Sequence, residues 1–155
     1  MAYYPQLITF LIAMMPVSEL RGAIPVALQV YELSPFSAFF WAVLGNLVAA
    51  ALVLLLLEPF SNYLRHNFYF FNRFFTWLFE RTRRKHNSKF EIWGALALVS
   101  FVAIPLPLTG AWTGAVAAFV FGIPFKKAFP LIALGVLIAG IIVTSACIGF
   151  FTIKL

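Results

Sequence analysis

Charge is scarce in this chain, and groups able to do chemistry are scarcer. Of its 155 residues 10% are charged and 63% are hydrophobic, where soluble domains carry about 25% charged residues. It has five acidic residues, two histidines and one cysteine, and no aspartate at all. Cys147 lies alone in an apolar run, so no disulfide framework is available. His66 and His86 sit among basic and aromatic residues without ligand spacing, so no metal site is expected. A Ser–His–Asp set, an H-E-x-x-H pair, a P-loop and a dinucleotide fingerprint are all missing. Neither an enzyme nor a bound cofactor is therefore expected. The start, "MAYYPQLITFLIAMMP", has no basic region and runs into Glu19 rather than a small-residue cleavage site. That argues against a cleavable signal peptide.

What the chain does have is apolar length. An all-α integral membrane protein without a separate soluble domain is predicted. Residues 36–57, "FSAFFWAVLGNLVAAALVLLLL", and residues 126–153 each exceed the roughly 20 apolar residues needed to cross the hydrocarbon core. A net charge of +6 would suit nucleic acid, but its placement points elsewhere. Arg65, Arg73, Arg81, Arg83, Arg84, Lys85 and Lys89 all fall in the linker 58–89 between the two spans. Such clustering marks a cytoplasmic membrane face, here expected to be that of a prokaryotic plasma membrane, and not a nucleic-acid partner. Within the linker, "FYFFNRFFTWLF" is too short to span. Asn62, Arg65, Tyr69, Arg73, Thr76, Glu80 and Arg83 recur every three or four residues. The spacing predicts one polar stripe on a basic amphipathic helix lying in the interface.

The two halves resemble each other. "AVLGNLVAA" (42–50) aligns with "IALGVLIAG" (132–140), "SPF" (34–36) with "IPF" (123–125), and "RGAIPVA" (21–27) with "TGAWTGA" (109–115). Each half reads as a Pro/Gly-broken segment, 5–33 or 90–122, followed by one full helix. If each broken segment enters and leaves by one side, each half crosses once and the halves are inverted. The linker and Lys126–Lys127 then share the cytoplasmic side, and the amino terminus and Glu32 lie outside. This predicts an inverted repeat of a re-entrant helical hairpin plus one transmembrane helix. Two spans make a small unit whose hairpins a neighbouring protomer would seal from lipid, so a homodimer is expected.

The stretch "MPVSELRGAIPVAL" (15–28) puts Glu19 and Arg21 inside the first hairpin, with no charge at the corresponding depth of the second. A charge at membrane depth costs upward of about 2.5 kcal/mol, and such residues face a cavity or a partner. At spacing i,i+2 the two do not face each other on a regular helix. Either the chain is broken there or each finds a partner elsewhere. Pro16, Gly22 and Pro25 are expected to break the first hairpin, and Pro105, Pro107 and Gly110 the second. Burial and the neighbouring guanidinium act on Glu19 in opposite senses, which makes it a candidate proton site. Thr109, Trp112 and Thr113 are candidates to line a cavity from the second hairpin. Asn46, mid-helix where the other half has Val136, either reaches that cavity or bonds a neighbouring helix. The candidate site is thus Glu19, Arg21, Gly22, Asn46, Thr109, Gly110, Trp112 and Thr113.

With "PVSELRGAIPVAL" and "PLPLTGAWTGAVAAF" in view, the chain resembles the small multidrug export protein family over nearly its whole length. That family is similar to the DedA membrane proteins, whose fold is two opposed re-entrant hairpins. The resemblance implies a small proton-coupled exporter moving an amphipathic substrate, such as a lipid phosphate, through the membrane. Two other readings stay open: export of cationic drugs with Glu19 as counter-ion, and a scaffold that transports nothing. Membrane lipid, protons and the substrate are the expected partners.

Overall fold

The structure, a computed structural model, describes residues 4–83, 88–104 and 109–153. Its described residues form helices and turns, with no strand among them. In chain order these are α1 (Pro5–Met14), α2 (Glu19–Gln29), α3 (Pro35–Asn67), α4 (Tyr69–Arg83), α5 (Ser88–Ala103), α6 (Ala111–Val120) and α7 (Phe125–Ile153). Two short helices followed by a long one thus occur twice. Proline opens α1 and α3, where its missing N–H costs nothing and its fixed φ suits the first turn. Ser34 supports the start of α3, its Oγ accepting from the Ser37 N–H at 3.3 Å.

Three boundaries differ from the sequence reading. The long helix expected over 36–57 continues through Pro59 to Asn67, so α3 takes the first ten residues of the linker. The stripe expected on one helix is therefore divided at Phe68, with Asn62 and Arg65 on α3 and the residues from Tyr69 to Arg83 on α4. Gly22 and Pro25 do not break the first hairpin; both lie inside α2, and the break is the turn 15–18. Packing explains why a helix holding both residues survives. Leu20, Ala23, Ile24 and Ala27 put one buried face on the core, and such burial outweighs propensity in a helix this short. Pro105 and Pro107, expected to break the second hairpin, lie outside the described residues, as does Leu108.

In the first half α1 and α2 pack on each other and on α3, as α5 and α6 do on each other and on α7. The halves also interlock, α6 lying against α3 and α2 against α7. Positions 90 apart in the chain do the same work in each half. Gly45 of α3 meets α1 so closely that a Cβ there would collide with the Phe10 carbonyl and lie 2.9 Å from the Ala13 Cβ. Gly135 of α7 meets α5 in the same way, 2.7 Å from the Val102 Cβ and 3.0 Å from the Val99 carbonyl. The turns entering the long helices each hold a left-handed residue, Glu32 (φ 51°) and Gly122 (φ 68°). At those turns the N–H of Leu33 reaches back to Ala27 and that of Ile123 to Ala118, closing the preceding short helix. A Cβ on Gly140 would lie 2.7 Å from the Phe39 ring and 3.1 Å from Val43, while Asn46 shares a void with Val136. Helices α3 and α7 therefore run antiparallel.

The outer surface is apolar. Leu52, Leu55, Leu56, Leu137, Ile141 and Ile142 of the long helices are exposed. Both long helices are long and apolar enough to cross a membrane, and only 28% of the most apolar part of α7 is buried. The core helix of a soluble protein would be covered; this one leaves its apolar side chains uncovered, as a lipid-facing helix does.

The two left-handed turns make a paired test. An L-residue in that region costs about 1–2 kcal/mol, and glycine gives back part of the gain through unfolded-chain entropy. Glu32→Gly should stabilise the protein by about 0.5 kcal/mol, and Gly122→Ala should destabilise it by about 1 kcal/mol. Melting curves of the two variants in detergent check the opposite signs.

Candidate functional site

Two short helices joined by a tight turn leave free backbone groups at the tip: carbonyls where the first ends, N–H groups where the second begins. The end of α1 and the start of α2 meet the end of α5 and the start of α6, and polar side chains of each pair serve the helix ends of the other. Glu19 opens α2 in the left-handed region (φ 47°) and is 6% exposed. Its Oε1 accepts the backbone N–H of Trp112 at 3.2 Å, and the Ala111 N–H faces the same carboxylate. These are amides of the first turn of α6, so Glu19 caps α6 from the other hairpin, with the helix dipole in its favour.

Arg21 serves the opposite end. Its Nη2 donates to the Ile104 carbonyl at 3.4 Å, to the Thr109 carbonyl, and to the Thr109 Oγ1 at 3.0 Å. The Thr109 hydroxyl in turn donates to the Ile104 carbonyl at 2.7 Å. The carbonyls following α5 are thus closed by a guanidinium, the charge their dipole favours. Trp112 completes the set in the reverse direction, its Nε1 donating to the Met14 carbonyl at the end of α1, 3.0 Å away. Both of the open alternatives for the charge pair hold together: the chain breaks just before Glu19, and each charge has partners in the second hairpin.

Gly110 makes this arrangement sterically possible. A Cβ there would collide with Oε2 of Glu19 and lie within 2.6 Å of Oε1. Of the other candidates, Thr113 bonds locally, its Oγ1 donating to the Gly110 carbonyl at 3.3 Å. Gly22 faces Ser18 in its own helix, where a Cβ would lie 3.0 Å from the Ser18 Cβ. Asn46 is 1% exposed and lines a closed void with Glu19, Arg21, Gly110 and Val136. Neither its Oδ1 nor its Nδ2 has a hydrogen-bond partner. What the sequence reading missed is backbone: Met14 and Ile104 as acceptors, Ala111 and Trp112 as donors. Their side chains carry no signal of it; the breaks at Pro16 and Gly110, which imply helix ends in need of caps, do.

The energies are close to balanced. Each charge at depth costs roughly 2.5–3.5 kcal/mol, and a hydrogen bond to a charged group contributes roughly 1.5–3 kcal/mol. Two bonds to Glu19 and three to Arg21 offset that cost.

A family profile described as "Putative small multi-drug export protein" matches residues 19–142. The chain belongs to this family. The matched region starts at Glu19 and holds α2 to α6 and most of α7, with Glu19, Arg21, Thr109, Gly110 and Trp112, while α1 and the turn 15–18 lie before it. No curated protein and no solved structure matches the chain.

Gly110→Ala in this family member should cost about 2–4 kcal/mol, beyond an ordinary surface change, because the methyl group displaces the Glu19 carboxylate. Removing the acid in the double variant Glu19→Ala/Gly110→Ala should recover part of the loss. Thermal denaturation in detergent of these two variants and of Glu19→Ala alone reads this coupling directly.

Proposed function

We propose that the chain is a proton-coupled membrane exporter that moves an amphipathic anion, such as a lipid phosphate, past two opposed re-entrant hairpins, without an enzymatic step. The observation that carries the reading is the carboxylate of Glu19 seated on the amino end of α6. Free amides and the positive end of a dipole form an anion site; here an internal anion fills it. Protonation of Glu19 removes the charge that the site favours. The freed amides of Ala111 and Trp112, with Arg21 beside them, then receive the head group of the substrate. Return of the carboxylate on the other side of the cycle expels it. An open groove of about 230 Å³, lined by Phe36, Phe39, Ile141 and Thr144, lies on the same α3–α7 seam. Ten residues of α3 separate Phe36 from Asn46, about 15 Å, so an apolar tail in the groove and a head group at Glu19 suit one amphiphile.

Helix lengths support the re-entrant topology. Helices α1, α2 and α6 have 10, 11 and 10 residues, about 15 Å each at 1.5 Å per residue, while α5, which runs in from the linker, has 16. The shorter length is half of a hydrocarbon core about 30 Å thick. The first tip presents Met15, Pro16 and Val17, with Val17 94% exposed, an apolar turn suited to the bilayer interior. Repeat-equivalent positions Arg21 and Thr109 bond to each other, as residues beside a pseudo-two-fold axis do. In this topology the cytoplasmic linker faces the interior of a prokaryotic cell. A second copy would cover the exposed tip in a homodimer, since irregular backbone is not left facing lipid. This layout is also that of the DedA-like proteins named above.

A cationic drug is the competing substrate, with Glu19 as counter-ion and the Trp112 indole next to it. Flux into proteoliposomes, measured with a panel of lipid phosphates and cationic drugs, separates the two. For an anionic substrate, Arg21→Gln should abolish binding, and Glu19→Gln should leave binding but remove the pH dependence of transport. For a cation, Glu19→Gln should abolish binding outright. Unaltered binding and flux in both variants would leave the scaffold reading.

Topology is tested separately in a Cys147→Ala background. Cysteines at Tyr4 and Glu32 should react with an impermeant reagent from outside, and one at Asn72 only after permeabilisation. Labelling of positions 4 and 32 from opposite sides would exclude the re-entrant hairpin.

A further inference from the structure

Asn46 is anomalous in this core. A buried carboxamide without partners costs about 1–3 kcal/mol relative to a group that needs none, and the repeat-equivalent position is filled by Val136 at 0% exposure. Exchanging the oxygen and nitrogen of the amide changes nothing, because both atoms are unpaired. The void it lines with Glu19 has no space for a water molecule, so solvent does not satisfy it. The other lining residues near it, Val102, Ala111, Val136 and Ala139, are apolar, and Arg21 is the one other charged group on the void.

The chemistry of the two side chains is complementary in one protonation state and not in the other. A carboxylate accepts only, so it can take a bond from Nδ2 but is repelled by Oδ1. A carboxylic acid has one donor and one acceptor, and a carboxamide presents one acceptor and one donor in the same spacing. The amino end of α6 has the opposite preference: its amides and dipole favour the anion. Glu19 therefore has two seats, each matched to one state. We propose that Asn46 is the proton-state receptor of Glu19: the protonated acid leaves the α6 amides and forms a two-bond acid–amide pair with Asn46 across the void. The proton stays on Glu19, its O–H donating to Oδ1 while Nδ2 donates to the acid carbonyl. This rests on the transport reading for its purpose but not for its chemistry.

The test needs no substrate. Acid-induced infrared difference spectra of the full chain in lipid should contain a protonated-carboxyl band that Glu19→Gln removes. Asn46→Val should shift that band to higher frequency, since the acid loses its hydrogen-bond partner, and Asn46→Leu should shift it likewise if the valine variant folds poorly. The protection factors of the Ala111 and Trp112 amides against hydrogen exchange, taken relative to the intrinsic rate at each pH, should fall on acidification in the parent chain and fall less in Asn46→Val. At neutral pH, Asn46→Val should melt higher than the parent, an advantage that shrinks in acid. A band that does not move in either variant, or no band that depends on Glu19, would overturn the pair. Failure of flux with the band shift present would instead remove the transport reading and leave the pair as a proton sensor.

Discussion

Helix ends are the constraint on which this architecture turns. Every short helix ends in unpaired backbone groups, and apolar surroundings supply neither water nor a cheap alternative. The fold answers by bringing the two tips together and letting each cap the other. Glu19 takes amides at the start of α6, Arg21 takes carbonyls after α5, and Trp112 takes the last carbonyl of α1. Each charge stands at the helix end whose dipole favours its sign. The arrangement also sets the packing around it, because tips that bond across the seam require α6 to lie on α3 and α2 on α7.

Close approach follows from that requirement. Short helices bring little apolar area, so they must sit tightly on the long ones, and glycine is placed where they do. Gly45 receives α1, and Gly135 receives α5 through Val102, which also fills the notch at Gly114 of α6. Alanines fill much of the remaining interior: Ala13, Ala23, Ala42, Ala111, Ala115 and Ala139 are all buried. With no hydrophobic drive between helices in lipid, small residues and interhelical hydrogen bonds supply the association. The large side chains are accordingly outside, where lipid takes them.

Legibility from sequence divides along the same line. The two long helices were readable because uninterrupted apolar length admits few other meanings. Both short-helix pairs could be placed by the Pro16 and Gly110 breaks and by the match between "RGAIPVA" and "TGAWTGA". Glu19, Arg21, Thr109, Gly110 and Trp112 were readable as a group, since polar residues at depth demand partners. Their pairing was not, because the partners are main-chain atoms, which any residue provides. Gly22 and Pro25 misled for a related reason: propensity is local, and the buried face of α2 overrode it. The α3 boundary was missed because Glu58 and Pro59 signal an end that the helix passes through. Thr113, chosen on its hydroxyl, turns to its own helix.

A contact that closes a fold and a contact that must open in a transport cycle make opposite demands, and in the proposed mechanism Glu19 is subject to both. Were the carboxylate bound only by its fit to α6, opening would cost the full price of exposing a charge at depth. Neutralisation by a proton removes most of that cost at once, and the amides left behind favour another anion over an empty site. In that proposal the geometry that locks the tips also selects what unlocks them: a proton on the acid, and an anion able to take its place. Arg21 keeps the second tip attached while this happens, because its acceptors are carbonyls and a hydroxyl that do not titrate. On this view the two residues of the pair differ in kind. Arg21 is the hinge of the contact and Glu19 its latch.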